Sequence, residues 1–316
     1  MKNIFLATTA LVATAGFAAA EVSFSGGANL GLKYNDAAAN KTTVHREITL
    51  TVAMTGETDG GLTFGADMTI TAGGVGDVIT YIEGGFGKLS VGDVDNAVQA
   101  VSGLSDIGFD GLGTDDIAEG IRGLSAANAL YEGTFGDFTV ALSGNIGGAD
   151  NAAGAGTEDL AIGVKYAMGN YSIGLGYGTY NAASYGGYDL VFADRQNAIT
   201  VQVGANVGDL ALAALYSTTS LSGDASFVNS ADATDFGTLT DIEDAKATQM
   251  GLTAAYTMGA VTVSAAYSVS SLTDEADVEG YGLGVAYDLG GGASVKAGVG
   301  EVGGVTVADL GVTMSF

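Results

Sequence analysis

Six carboxylates crowd into one stretch of this chain and are the side chains with the clearest capacity for chemistry. Asp95, Asp106, Asp110, Asp115, Asp116 and Glu119 fall within residues 94–126, where Arg122 is the single base. A cluster or ring of acids acts through its field, favouring cations and disfavouring anions. Carboxylates are also hard oxygen ligands, so Asp106, Asp110, Asp115 and Asp116 are candidates for a structural Ca2+. They lack the spacing of an EF-hand loop, however, and a plain negative surface explains the same cluster with fewer demands. The run Gly73-Gly74-Val75-Gly76-Asp77 matches one unit of a calcium-binding roll, but it occurs once and such rolls need tandem copies.

Catalysis is poorly supplied. His45, near Glu47, is the only histidine, and the absence of cysteine excludes disulfides and thiolate metal sites. A Ser-His-Asp hydrolase would have to use His45 with no positioned nucleophile beside it. Neither a Gly-x-Ser-x-Gly elbow nor a phosphate-binding or dinucleotide-binding glycine motif occurs. The chain therefore reads as a non-enzyme.

Residues 1–20 read as an export signal: Lys2 gives a positive start, Ile4 to Phe17 is apolar, and Ala18-Ala19-Ala20 offers a small-residue cleavage site before Glu21. The apolar part is too short to span a membrane, which takes about 20 strongly apolar residues. Without Lys2 the count of Lys and Arg drops from 10 to 9 against 36 Asp and Glu, moving the net charge from −26 to −27. That balance excludes nucleic acid as a partner and argues against binding anionic lipid by charge alone.

The remaining composition bounds the elements that position these residues. The chain has 52 Gly, no Pro and no Trp, and its mean hydropathy is positive. After the signal there is no apolar run of about 18 residues, so it cannot cross a membrane as helices. A closed barrel is the remaining spanning solution, because an open sheet edge leaves backbone groups unpaired in lipid. Missing proline suits a chain held mostly in ladders.

Alternation with period two runs through the chain, as expected of strands with a different solvent on each face. Val22, Phe24, Ala28, Leu30, Leu32 and Tyr34 share one face of the first run, opposite Ser23, Ser25, Asn29, Lys33 and Asn35. Ile48, Leu50, Val52 and Met54 likewise oppose His45, Glu47, Thr49 and Thr51. Aromatics stand near run ends, among them Phe86, Phe135, Phe138, Tyr171, Tyr177, Tyr256, Tyr281, Tyr287 and Phe316, as interfacial girdles require. Tight glycine turns such as Phe135-Gly136-Asp137 and Met168-Gly169-Asn170 alternate with longer polar stretches near 146–158, 181–196 and 221–245. Shorter polar stretches fall at 36–41, 72–77, 272–277 and 301–304.

The pattern predicts an all-β, antiparallel transmembrane barrel of about sixteen strands over residues 21–316. They fall near 21–35, 42–56, 62–71, 78–84, 86–93, 127–135, 138–146, 158–168, 171–180, 196–207, 210–220, 246–258, 261–271, 278–289, 293–300 and 305–316. A barrel of that size encloses an aqueous channel, whereas about eight strands leave an interior filled by side chains. The stretch 94–126 is the longest without clear alternation, and Leu104, Ile107, Phe109, Leu112, Ile117 and Leu124 are spaced through it to pin it to a wall. Counting parity gives Lys33, His45, Glu47, Asp67, Glu83, Lys88, Lys165 and Lys296 as lumen-wall candidates. Arg46 falls on the outward face, where headgroup level and a bulge that re-aims it are equally open.

Over essentially the whole mature chain the sequence resembles the general-diffusion porins of alphaproteobacteria. The resemblance is carried by Glu21-Val22-Ser23-Phe24-Ser25-Gly26, Gly61-Leu62-Thr63-Phe64-Gly65-Ala66, Phe86-Gly87-Lys88-Leu89-Ser90-Val91-Gly92-Asp93, Gly169-Asn170-Tyr171 and Leu175-Gly176-Tyr177. The tail from Tyr281 through Ser294 and the aromatic ending Thr313-Met314-Ser315-Phe316 extend it. It implies a homotrimer in the Gram-negative outer membrane, in contact with its lipid and lipopolysaccharide. It also assigns a subunit contact to the early strands, a third and equally open setting for Arg46. In each sixteen-stranded barrel the third loop, here 94–126, folds inward and narrows a passive pore for small hydrophilic solutes and ions. Such porins carry several arginines on the lumen side of the opening strands; this chain offers Asn29, Glu47 and Thr49 there, which predicts cation preference. Similar porins can bind calcium in their loops; no cofactor is expected here, and a structural Ca2+ is the one candidate. The alternatives are a substrate-specific channel, disfavoured because Phe109 is the only aromatic in 94–126, a plugged barrel or adhesin, and a barrel-embedded hydrolase.

Overall fold

The computed structural model describes residues 20–146, 159–185, 188–229 and 235–316. The signal expected at 1–20 lies outside the described residues apart from Ala20, as does the loop expected at 146–158 except for Ile146. Among the described residues, sixteen strands follow one another: β1 Glu21–Asn35, β2 Thr42–Glu57, β3 Thr63–Thr71, β4 Gly74–Gly84, β5 Gly87–Gly92, β6 Ala129–Phe135, β7 Phe138–Gly144 and β8 Leu160–Met168. The second half is β9 Tyr171–Tyr185, β10 Tyr188–Val207, β11 Leu210–Asn229, β12 Asp235–Met258, β13 Val261–Leu272, β14 Val278–Gly290, β15 Ala293–Val302 and β16 Val305–Ser315. Each pairs antiparallel with its sequence neighbours, and β1 pairs with β16 to close a barrel.

Closure satisfies the backbone groups that an open edge would strand in lipid. The two faces then sort as the alternation predicts. Leu30 and Ile48 are 56% and 67% exposed on the outside, and all nine aromatics expected at the girdles are exposed. The tight turns carry positive φ at Gly136, Gly169, Gly208 and Gly259, which a side chain would strain.

The polar stretches at 181–196 and 221–245 are corrected by the structure. Most of both continues the ladders of β9 to β12, with Leu190 opposite Ala183 and Phe227 opposite Gly237. The physical reason is solvent: beyond the membrane both faces of a strand meet water, so alternation vanishes while backbone pairing persists. Register shifts between Val191 and Gln196, and again between Leu221 and Gly223, mark where regular pairing is interrupted. The stretch expected as a loop at 72–77 is likewise mostly strand, since β4 begins at Gly74.

The segment between β5 and β6 lies inside the barrel. It contains two short helices that the alternation does not announce, α1 Ala97–Val101 and α2 Asp116–Glu119, followed by a 3-10 turn at Ile121–Gly123. Asn96 caps α1 in a box with Gln99, accepting from the Val98 and Gln99 N–H groups. α1 packs on β7, β8 and β9, whereas α2 packs on β11 to β14. Phe109, near the tip, reaches β1 and β16. Only the interior of a closed ring lets one segment touch all of these walls.

Candidate functional site

Pairing register fixes which side chains share the face that the loop covers. The partners His45 and Gly31, Glu47 and Asn29, and Lys33 and Asp309 all belong to it. The same parity runs round the ring through Asp67, Glu83, Lys88, Lys165 and Lys296. All eight wall candidates therefore project inward. Their surroundings differ. Lys33 Nζ lies 2.8 Å from Asp110 Oδ2, while Lys88 Nζ sits 4.2 Å over the Tyr81 ring. Glu83 and Glu132 flank Lys88 in register without forming an ion pair with it among the described residues. Lys296 borders a cleft between Ser105–Gly108 of the loop and the wall of β11 to β15.

The loop is held by small residues beneath it and polar clasps beside it. Val98 and Val101 of α1 lie over Gly163, Gly174 and Gly176, where any side chain would collide with them. Ile107, Phe109, Leu112 and Ile121 are all at least nine-tenths buried, and each such burial is worth about 1.5–3 kcal/mol. Gln202 grips Gly103 from both sides, accepting from its N–H at 3.2 Å and donating to its carbonyl at 2.6 Å. Gln249 accepts from Ile121 N–H at 2.7 Å, and Ser143 from Ala97 N–H at 2.8 Å. At the tip, Asp309 Oδ2 accepts from the N–H groups of Phe109 and Asp110 at 2.9 and 3.0 Å.

The six loop acids occupy four settings. Asp110 turns to the β1–β2 wall, where His45 Nε2 lies 3.4 Å from its Oδ1 and 4.0 Å from Glu47 Oε2. Glu119 is paired with Arg122 within the loop and accepts from Leu104 N–H. Asp106 and Asp115 meet carboxyl to carboxyl: burial first, then the hydrogen bond to Asp106 and its charge, push Asp115 up to about 7. Asp116 is raised too, by burial and by the charges of Asp106 and Glu119. Asp95 is exposed ahead of α1 and has no ion pair among the described residues. The four calcium candidates thus do not converge. The sole potential ligand group of three or more among the described residues is His45, Glu47 and Asp110.

Three contributors escaped the sequence reading. Asp309, Gln202 and Gln249 hold the loop from the far wall, and their signal is an inward-parity polar residue among small ones. Arg46 resolves differently. The β1–β2 register runs unbroken from Glu21–Thr55 to Tyr34–Thr42, so no bulge re-aims it. Arg46 stays opposite Leu30 on the outward face, with no ion pair among the described residues.

Known proteins share this architecture. A family model described as Gram-negative porin matches residues 7–305. A porin of Rhodobacter capsulatus is 32% identical over 313 residues, spanning 94% of this chain and 100% of that protein. Among solved structures, a porin refined at 1.8 Å resolution superposes with a TM-score of 0.72 at 27% identity, covering 94% of this chain and all of the other. The trimer form of OmpT, an outer-membrane protein of Vibrio cholerae, matches the fold with a TM-score of 0.70 at 16% identity, over 94% of this chain and 100% of its own. A variant of the Rhodopseudomonas blastica porin gives 0.64 at 20% identity, over 93% and 100%.

Proposed function

Since the chain belongs to the family of Gram-negative porins, we propose that it forms a passive, cation-preferring pore for small hydrophilic solutes. The family and fold point to an outer-membrane channel rather than an enzyme. The finer reading rests on one observation: the inner face across from the loop is poor in bases. Over β1 to β5 it carries Lys33, His45 and Lys88 but no arginine, alongside Glu47, Asp67 and Glu83. Lys33 is already occupied by Asp110. Glu119 is paired with Arg122 and Asp115 is buried, so Asp95, Asp106 and Asp116 are the loop acids left to act on passing ions without a basic wall to oppose them.

The test is a reversal potential across a planar bilayer in a KCl gradient. We expect the sign of a cation-preferring pore; anion preference would overturn the reading.

We also infer assembly as a homotrimer through the outward faces of β1 to β5 and β16. The OmpT structure described as a trimer supports it by analogy, and so does the distribution of tyrosine. Outward tyrosines stand on β6, β8, β9 and β11 to β14, such as Tyr131, Tyr171, Tyr216, Tyr256, Tyr267 and Tyr287, whereas β2 to β5 and β16 present none and β1 presents only Tyr34, next to its last residue. Tyrosine belts belong where headgroups are met, and a surface covered by another subunit meets none. Unheated gel electrophoresis of the detergent-extracted protein should run at three times the chain mass; migration as a single chain would sink the inference.

A further inference from the structure

His45 and Glu47 are two residues apart on one strand, so both project from the same face of β2 on a backbone paired to β1. Asp110 comes to them from the loop tip, which Asp309 holds by two N–H groups. One ligand atom from each of the three lies within 4.8 Å of the others. The His45 Nε2 is sealed from solvent and has no hydrogen-bond partner among the described residues. A sealed polar nitrogen aimed between two carboxylates is costly unless something satisfies it.

We propose that His45, Glu47 and Asp110 form a binding site for a borderline transition-metal dication, with Zn2+ as its representative. Metal bonds of about 2.0–2.2 Å at tetrahedral angles set donor atoms about 3.3–3.6 Å apart. The His45 nitrogen stands 3.4 Å from Asp110 Oδ1 and 4.0 Å from Glu47 Oε2, so small side-chain rotations suffice. The donor set also selects the metal. Imidazole suits Zn2+, Ni2+ and Cu2+, whereas Ca2+ takes 6–8 oxygen ligands and this group supplies too few. Outer contacts orient the ligands: Lys33 occupies Asp110 Oδ2 at 2.8 Å and leaves Oδ1 to the metal, and Asn29 donates to Glu47 at 3.5 Å. Phe109 sets its ring edge-on to His45 at 5.7 Å and fixes the imidazole plane. A bound dication would tie the loop tip to the β2 wall and cancel two negative charges.

Metal binding itself does not depend on the channel reading, and calorimetry separates the two. Titration of the purified wild-type assembly with ZnCl2 in nonionic detergent should give one site per chain, and MgCl2 should give none. His45→Gln and Glu47→Gln, checked for intact assembly on unheated gels, should each weaken Zn2+ by at least about tenfold. No heat with Zn2+, or equal affinity in both variants, would overturn the site. Bilayer recording supplies the second readout: micromolar Zn2+ should lower cation conductance of the wild type but not of His45→Gln. Zinc bound in the calorimeter with conductance unaltered would leave the site standing and count against the pore reading instead.

Discussion

Lys33 and Asp110 hold each other at 2.8 Å across the gap between strand β1 and the loop tip, 77 positions apart in sequence. Both side chains keep some contact with water, at 40% and 20% exposure, so the pair adds at most about 1 kcal/mol to stability. Its larger effect is on the field. Lys33→Gln removes a base and releases Asp110 to passing ions, which should strengthen cation preference. Asp110→Asn should weaken it. Reversal potentials of the two variants, moving in opposite directions from the wild type, check this pair of outcomes.

Asp115 should give the pore a pH dependence. Its carboxyl is pushed from 3.8 up to about 7 by burial and by Asp106. The folded chain therefore keeps a proton that the unfolded chain releases, and the resulting stabilisation is full below the unfolded value and lost as pH rises through about 7. Negative charge in the loop rises over the same window. Cation preference should increase between pH 5 and pH 8, and Asp115→Asn should flatten that increase. Selectivity measured at several pH values decides it; an unchanged slope in the variant would count against the assignment to Asp115.

Arg46 tests the subunit contact. A mid-membrane charge facing lipid costs about 2–4 kcal/mol, and nothing within the described chain compensates Arg46. The trimer reading assigns that compensation to another subunit. Arg46→Leu should then lower the temperature at which the oligomer falls apart while leaving each barrel folded. Gel migration after graded heating reads this directly; a more heat-resistant oligomer would mean that Arg46 meets lipid.

Phe109 is 3% exposed, with its ring against Gly31 and Gly311. Phe109→Ala removes a buried aromatic, a loss of about 3–5 kcal/mol from the packing of the tip. Gly311→Ala should unseat the same ring by collision, since the atoms its methyl would meet belong to the Phe109 side chain. Both variants should give larger and noisier single-channel conductance with assembly intact. Quiet wild-type currents from either would show that the tip does not narrow the pore.

The barrel was legible because each membrane strand records two solvents in its odd and even positions, as Ile48 against Thr49 does. Inward parity placed Lys33, His45 and Glu47 by counting alone, and the register agrees. Where only one solvent is present the record disappears, which is why Leu190 opposite Ala183 was invisible as a pair. The loop contacts were illegible for another reason. Phe109 meets Asp309 across 200 residues, and nothing local to either side chain announces the other. Of the four acids linked to calcium by type and proximity in sequence, Asp110 turned to the β2 wall instead, because its N–H is held by Asp309 and its carboxylate by Lys33.

The resting place of Phe109 has a bearing on how the molecule matures. One half of that notch belongs to the opening strand and the other to the closing one, which become neighbours only when Gly31 finds Gly311. Before the two ends of the polypeptide zip together the ring has no seat. On the proposed reading, in which this loop narrows the passage, the narrowing would come late in biogenesis, and a barrel arrested just short of joining would be a wide, unguarded hole.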